Sequence, residues 1–318
     1  MTIMNASLIS IAVTAALSAG VVSGQDYPNK PIRIVTSPAG GGTDIVARII
    51  AKGITGGLGQ PVIIDNRSTS LMAEVASKAS PDGYTMLAAG GSFAVMPLLQ
   101  KAPYDPVRDF APISMLASAP LVMIVHPSLP VKSVKELIAL AKAKPGELNY
   151  ASGASGSSTH VSAALFVSMA GVNIVRIAHK GTTAALTAML GGQLQLMFGT
   201  AGATVPHIKA GRLRALAITS AQPSALFPGM PTVAASGVPG YEYATGYTML
   251  APAGTPAAII NRLNQEIVRF LNTAEAKERF FNIGIDVVGS SPQKLAAIIK
   301  SDMAKMSRII KESGIKVN

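Results

Sequence analysis

Three stretches of this chain gather glycine and small hydroxyl residues in an order that can hold an anion. The first runs Thr36, Ser37, Pro38, Ala39, Gly40, Gly41, Gly42, Thr43, Asp44. Glycines leave the backbone open to a ligand, and a helix start beyond them offers unpaired N–H groups at the positive end of its dipole. Thr36, Pro38, Ala39, Gly40, Gly41, Thr43 and Asp44 are therefore candidate ligand-binding residues. The same residues also suit an ordinary strand-to-helix connection. The loop matches neither G-x-x-x-x-G-K-[ST] nor G-x-G-x-x-G, so nucleotide binding is not supported. The second stretch, Gly90-Gly91-Ser92, falls short of the G-x-S-x-G nucleophile elbow only by Ala94 at the last position. With a base beside it, Ser92 would be a hydrolase nucleophile. None of His126, His160, His179 and His207 has a sequence context that marks it as that base. A secreted serine hydrolase using Ser92 is the alternative to a binding role. The third stretch, Ser152 to His160, repeats the first in kind: small hydroxyl residues and glycines ahead of a helix. It reads either as a flexible linker or, between strand and helix, as a second anion cradle. His160, on an early helical turn, reads as a structural or capping histidine.

The elements that position these stretches follow from periodicity. Ile32, Ile34 and Val35 read as a short β-branched strand that Pro38 and the glycines end. A helix follows, capped by Thr43, with Asp44 at its positive end and Ile45, Val46, Ile49 and Ile50 on one apolar face. Further strands are expected over residues 62–64, 84–88, 148–151, 174–178, 195–198 and 213–219. A helix over 134–144 is stopped by Pro145 and Gly146. Arg67, in the turn after the second strand, reads either as a fixed charge facing a ligand or as a solvated turn residue. The apolar segment 113–126, broken by Pro120, reads as a crossover between two lobes, and 240–252 as the return. Ile259, Leu263, Ile267 and Leu271 line one late helix, and Leu295, Ile298 and Ile299 another. These stripes read as core, not as a cofactor site.

Composition bounds the class. The 318 residues are 49% hydrophobic and 14% charged, which excludes a disordered chain or a coiled coil. The formal net charge of +11 can steer anions, but Lys and Arg are scattered and aromatics are only 5%, so a nucleic-acid surface is not expected. There is no cysteine, hence no disulfide, thiolate metal site or lipidated anchor. No cofactor and no metal-ligand cluster is indicated. Residues 8–22 form an apolar run too short for a bilayer, which reads as a signal peptide over 1–24 with cleavage near Gly24. An uncleaved anchor is the alternative, because the segment before it lacks Lys and Arg. The remaining length fits two lobes.

The ordered segments PIRIVTSPAGGGTDIVARII, LGQPVIIDNR, PDGYTMLAAG, PYDPVRDFAPIS, PGELNYASG, LGGQLQLMFG, PHIKAGRLRALAITSA and LAPAGTP resemble the Bug, or TctC, family of periplasmic solute receptors of tripartite tricarboxylate transporters. The resemblance runs from about Tyr27 to the C-terminus. It implies a two-lobed α/β periplasmic binding protein, type II-like, with a ligand cleft between lobes and two hinge crossovers. Lobe 1 would hold 25–122 and 249–318, and lobe 2 would hold 123–248. It also implies a non-enzymatic, exported, monomeric receptor for a small carboxylate, di- or aromatic, that partners the membrane components of a transporter. By the same resemblance Ser92 donates to the ligand carboxylate, and Ser152, Ser155, Ser157, Ser158 and Thr159 lie in the cleft. The chain departs from the family at several points. Asn66-Arg67-Ser68 replaces a second glycine loop, Ala154-Ser155 replaces Gly-Asn, and His179 replaces Tyr beside Lys180, itself either a ligand partner or a surface lysine. Thr200 stands where relatives often place Asp, which favours a ligand without an amino group. Of an aromatic pair near 245–247 only Tyr247 remains.

Overall fold

The computed structural model describes residues 27–153 and 156–313, apart from the side chains of 69, 70, 309, 312 and 313. The leader at 1–24, together with Ala154 and Ser155, lies outside the described residues. Lobe 1 starts with β1 (Ile32–Thr36), α1 (Gly42–Leu58), β2 (Val62–Asn66), α2 (Thr69–Ser77), β3 (Thr85–Ala89) and α3 (Ser92–Leu99). These three strands are parallel in the order β2-β1-β3, so their C-terminal ends and the helix starts that follow lie along one edge.

The 16-residue β4 (Phe110–Val125) then carries the chain out of lobe 1. Lobe 2 follows as α4 (Val134–Ala143), β5 (Asn149–Ser152), α5 (Ser158–Ala170), β6 (Val175–Ala178), α6 (Thr182–Leu190), β7 (Leu196–Thr200), α7 (Ala201–Lys209) and β8 (Arg214–Ile218). The chain returns along β9 (Ala244–Pro252) and ends in α8 (Ala257–Leu271), α9 (Ala274–Asn282), β10 (Asp286–Val287) and α10 (Pro292–Ser313).

β4 serves both lobes. From Phe110 to Pro120 it pairs antiparallel with β9, and from Leu121 to Val125 with β7; β8 joins its other side. The partner changes at Pro120, which has no N–H to donate to a ladder. Thr219 ties the two crossovers there. Its Oγ1 accepts the Leu121 N–H at 2.7 Å, and its carbonyl accepts the Tyr243 N–H at 2.8 Å.

Each lobe has its own core. Ile34, Ile50, Ile54, Leu263 and Phe280 pack α1, α8 and α9 on one face of lobe 1, while Val35, Leu87, Phe93 and Leu295 fill the other. Lobe 2 centres on Phe166, Phe198 and Tyr241, whose ring centroids lie 5.7–6.4 Å apart. Burying each such side chain stabilises the fold by about 1.5–3 kcal/mol. Ile259, Leu263, Ile267 and Leu271 are all buried. Helix α10 spans the lobes: Leu295 and Ile299 pack in lobe 1, Met306 in the lobe 2 core. Helices α2, α3, α7 and α9 escape the sequence reading. α2 occupies the stretch read as an altered loop, and α9 buries only Ala276 and Phe280, too few for an apolar stripe.

Candidate ligand-binding cleft

The loop between β1 and α1 lies open. Pro38, Ala39, Gly40 and Gly41 are exposed, and Gly40 has φ +80°, a conformation that side chains resist. Helix α1 begins at Gly42 with Gly41 as its cap, not with Thr43. A glycine cap offers no side-chain acceptor, so the first-turn N–H groups stay available. Asp44 is only 2% exposed and faces back into the loop. Its carboxylate accepts the Gly40 N–H at 2.9 Å, Arg48 Nε at 3.0 Å and Asn66 Nδ2 at 2.7 Å. Burial alone would raise its pKa, but the hydrogen bonds from Arg48, Asn66 and Gly40 outweigh burial and hold the carboxyl below its ordinary value. Asn66 also donates to the Ser37 carbonyl at 2.7 Å, so a charged network fixes the loop from behind.

The loop after β3 closes onto the first. A side chain at Gly90 would begin 2.9 Å from Thr43 Oγ1, and one at Gly42 would begin 2.9 Å from the Tyr247 hydroxyl. Ser92 opens α3, half-buried. Among the described residues no hydrogen bond joins Ser92 to a histidine. His126 Nδ1 meets Ser128 Oγ at 2.7 Å, His160 Nδ1 accepts the Gly156 N–H at 3.0 Å, and His207 bonds Arg212.

Lobe 2 builds its edge differently. Gly153 N–H donates to Thr159 Oγ1 at 2.9 Å, Ser157 Oγ lies 3.1 Å from Thr159 Oγ1, and Ser157 accepts the His160 N–H to cap α5. Ser152 Oγ donates to the Gly153 carbonyl at 3.1 Å and accepts Arg176 Nε at 2.8 Å. Arg176 Nη2 donates to the Gly153 carbonyl at 3.2 Å, which sets a guanidinium directly behind the loop. Burial, aided by the Arg176 charge, pulls the His160 pKa down to about 4, so the ring is neutral at pH 7 and serves as an acceptor. The loop before α6 abuts this one: a side chain at Gly153 would begin 3.4 Å from both Thr182 N and Thr182 Oγ1. Helices α6 and α7, with Gly181 and Thr200 as caps, have no side-chain cap hydrogen bond.

The two edges meet at the crossover. Thr245 pairs with Ala119 and Thr200 with Leu121, two residues apart on β4. Three buried polar atoms there and nearby have no partner among the described residues: Thr36 Oγ1, Thr245 Oγ1 and His179 Nδ1. Such atoms are costly to leave unpaired, and a bound ligand can satisfy them. Thr36, the glycine loop, Thr43 and Ser92 thus gather on the lobe 1 edge. Ser152, Ser157, Ser158, Thr159, His179 and Thr200 gather on the lobe 2 edge. Within them Asp44, Ser152 and Thr159 are engaged internally. Arg67 pairs with Asp65 at 2.9 Å. Sequence reasoning met Thr245 only as part of a segment where relatives carry an aromatic pair, and it passed over Arg176, whose signal was a lone charge in an apolar strand. Among the described residues no helix is long and apolar enough to cross a membrane, and no three His, Cys, Asp or Glu side chains could hold a metal ion.

Comparison with known proteins supplies the context. A family profile described as tripartite tricarboxylate transporter family receptor matches residues 46–315. Protein BugT of Bordetella pertussis is 34% identical over 98% of this chain and 98% of its own length. Among solved structures, an R. palustris protein with adipate is 35% identical, covers 92% of this chain and 99% of its own, and superposes with a TM-score of 0.83. The periplasmic binding protein BugD is 30% identical, with 91% and 99% coverage and a TM-score of 0.81. MatC from Rhodopseudomonas palustris with bound malate is 27% identical, with 89% and 100% coverage and a TM-score of 0.80.

Proposed function

The chain belongs to the TctC family of tripartite tricarboxylate transporter receptors, and from that membership we propose that it captures a small di- or aromatic carboxylate between its lobes and delivers it to a tripartite transporter. Proteins of this family are periplasmic solute receptors, and two structurally similar ones were solved with adipate and with malate. The observation that carries the carboxylate reading is the pairing of two helix-start edges across β4, with unpartnered polar atoms at Thr36, Thr245 and His179. In this proposal one carboxylate rests on the first-turn N–H groups of α1 with Thr43 and Ser92. The other rests at α5 and α6 with Ser157, Ser158 and His179, and Arg176 lends fixed positive charge. Thr200 and Thr245 form the floor. Asp44, Ser152 and Thr159 hold the loops in place, and the resemblance implies a ligand-binding role for Ser155, which lies outside the described residues.

The proposal includes lobe boundaries at 122/123 and 248/249, a leader removed at 1–24 on export to the periplasm, and a monomer. Ligand that bridges the lobes binds the closed form better than the open one and shifts the population toward it, the form a transporter would read. A thermal-shift screen of the exported chain against mono-, di- and tricarboxylates, amino acids and aromatic acids tests the reading, since binding to the native state raises the apparent melting temperature. A shift confined to one carboxylate class supports it. No shift with any carboxylate, together with cleavage of a chromogenic ester that Ser92→Ala abolishes, would replace it with the hydrolase reading.

A further inference from the structure

Behind the crossover, α3, α10, β4 and β9 enclose a cavity of about 250 Å3. Successive residues of a strand face opposite ways. On β9, Ala244, Gly246 and Thr248 border this cavity, while Tyr247 packs in the core on the α1 side. The cavity is therefore on the far face of the sheet from α1. Its apolar walls are Phe93, Val95, Met115, Ile299 and Met306.

Two polar groups on the cavity have no hydrogen bond or ion pair among the described residues. Tyr243 is only 9% exposed, borders the cavity, and finds no partner for its hydroxyl. Asp302, an exposed residue of α10, borders it too with no hydrogen bond or ion pair among the described residues; partial burial holds its carboxyl above the ordinary value, against the pull of the Lys305 charge. Burial pushes the Tyr243 phenol up from its ordinary value and the Asp302 charge pushes it further, so the two groups sense each other. Glu242 and Lys305 line the cavity as well and pair with each other at 3.4 Å, and the Lys305 charge also acts on Asp302, so the three side chains together carry one net negative charge. Arg308 lines a separate, smaller cavity with Glu242 and Lys305 and does not border this one.

We propose that this rear cavity is a second ligand site, one that takes a small amphipathic amine with its apolar body against Phe93, Met115 and Ile299 and its ammonium between Asp302 and the Tyr243 hydroxyl. An unpaired carboxylate at an apolar cavity attracts a cation, and a phenol oxygen accepts an N–H. A charged group with an apolar body satisfies both walls at once. The volume suits a single ring with a short chain, at or just below the usual range for small-molecule pockets. The site selects the opposite charge from the cleft, so the two sites do not compete for one ligand class. Its walls include Met115 and Ser118 of β4 and Tyr243 and Gly246 on the return, the strands that must bend for the lobes to move. Occupancy therefore biases the hinge, and by linkage a cleft ligand changes amine affinity by the same factor that the amine changes cleft affinity.

Calorimetric titration of the purified chain with phenethylamine tests this, with 2-phenylethanol, which has the same body and no charge, as the control. Saturable one-to-one binding is expected, weakened about tenfold or more by Asp302→Asn through loss of a charge-assisted contact. Tyr243→Phe, which keeps the ring and its packing, should weaken it by a smaller factor, and Met115→Trp should abolish it by filling the cavity. Thermal-shift responses to carboxylates should be unchanged in Asp302→Asn, which separates this site from the cleft. No saturable amine binding by the native chain, or equal binding by Asp302→Asn, overturns the proposal.

Discussion

The two loops proposed to hold the ligand, before α1 and before α5, are built by different means. The loop before α1 is glycine, exposed, without a side-chain cap, and held from behind by Asp44, Arg48 and Asn66. The loop before α5 is rich in hydroxyl groups, but Ser157 caps its own helix, Thr159 receives the Gly153 N–H, and Ser152 lies between Gly153 and Arg176. An open backbone cradle offers the ligand N–H groups directly. A self-satisfied hydroxyl loop offers shape, a few remaining hydroxyls and the charge of Arg176 behind it. A run of serines and threonines is thus poorer evidence of ligand contact than a run of glycines, because serines can satisfy one another.

Four changes break or sharpen that contrast, here from largest to smallest effect. Gly41→Asp has an ordinary φ of −74° and an exposed position, so the fold should survive. Carboxylate affinity in calorimetry should fall about 100-fold or more, because like charges roughly 4 Å apart near a surface repel by about 4 kcal/mol. Unchanged affinity would remove this loop from the site. His160→Gln addresses the second loop through pH. The folded pKa of His160, about 4, lies below its ordinary value of 6.5, so its neutral form supports the fold fully above pH 6.5. That support is lost as pH falls toward 4, in total roughly 3 kcal/mol for a buried ring. The variant should therefore show a flatter fall in melting temperature between pH 6.5 and 4. An equally steep fall would mean that another group carries the acid sensitivity.

Arg176→Met should lower carboxylate affinity about tenfold and lower the melting temperature, since charge-assisted hydrogen bonds to Ser152 and Gly153 are lost. If affinity holds while stability drops, Arg176 only braces the loop. His179→Phe should cost roughly fivefold in affinity, the worth of one hydrogen bond to its unpartnered Nδ1. No loss would turn His179 away from the ligand.

Much of this was legible in the sequence, for physical reasons that differ by element. β-branched runs ended by glycine located β1, and the break at Pro120 located the crossover along β4. The stripe of Ile259, Leu263, Ile267 and Leu271 located α8, because a single buried face imposes the helical period. Helix α9 was not legible, since only two of its side chains are buried and its pattern is that of a surface segment. In the candidate site, glycine content located the exposed β1–α1 loop, but the helix cap is Gly41 and not Thr43. A cap is set by backbone angles, which Thr and Gly can both satisfy. The inward turn of Asp44 depends on Asn66, 22 residues away and brought near only by β1–β2 pairing. Thr245 and Thr200 meet only through their shared neighbour β4, a relation that local sequence does not carry.

The central claim is that one small molecule with two anionic ends bridges the two lobes. Calorimetric titration of the purified chain with straight-chain dicarboxylates of increasing length, beside the monocarboxylate of each length, tests it most directly. The account predicts one-to-one binding that peaks at a single dicarboxylate length, with each monocarboxylate weaker by about tenfold or more for the loss of one charge-assisted partner. Equal affinity for mono- and dicarboxylates at every length would contradict it, because only one edge of the cleft would then be in use.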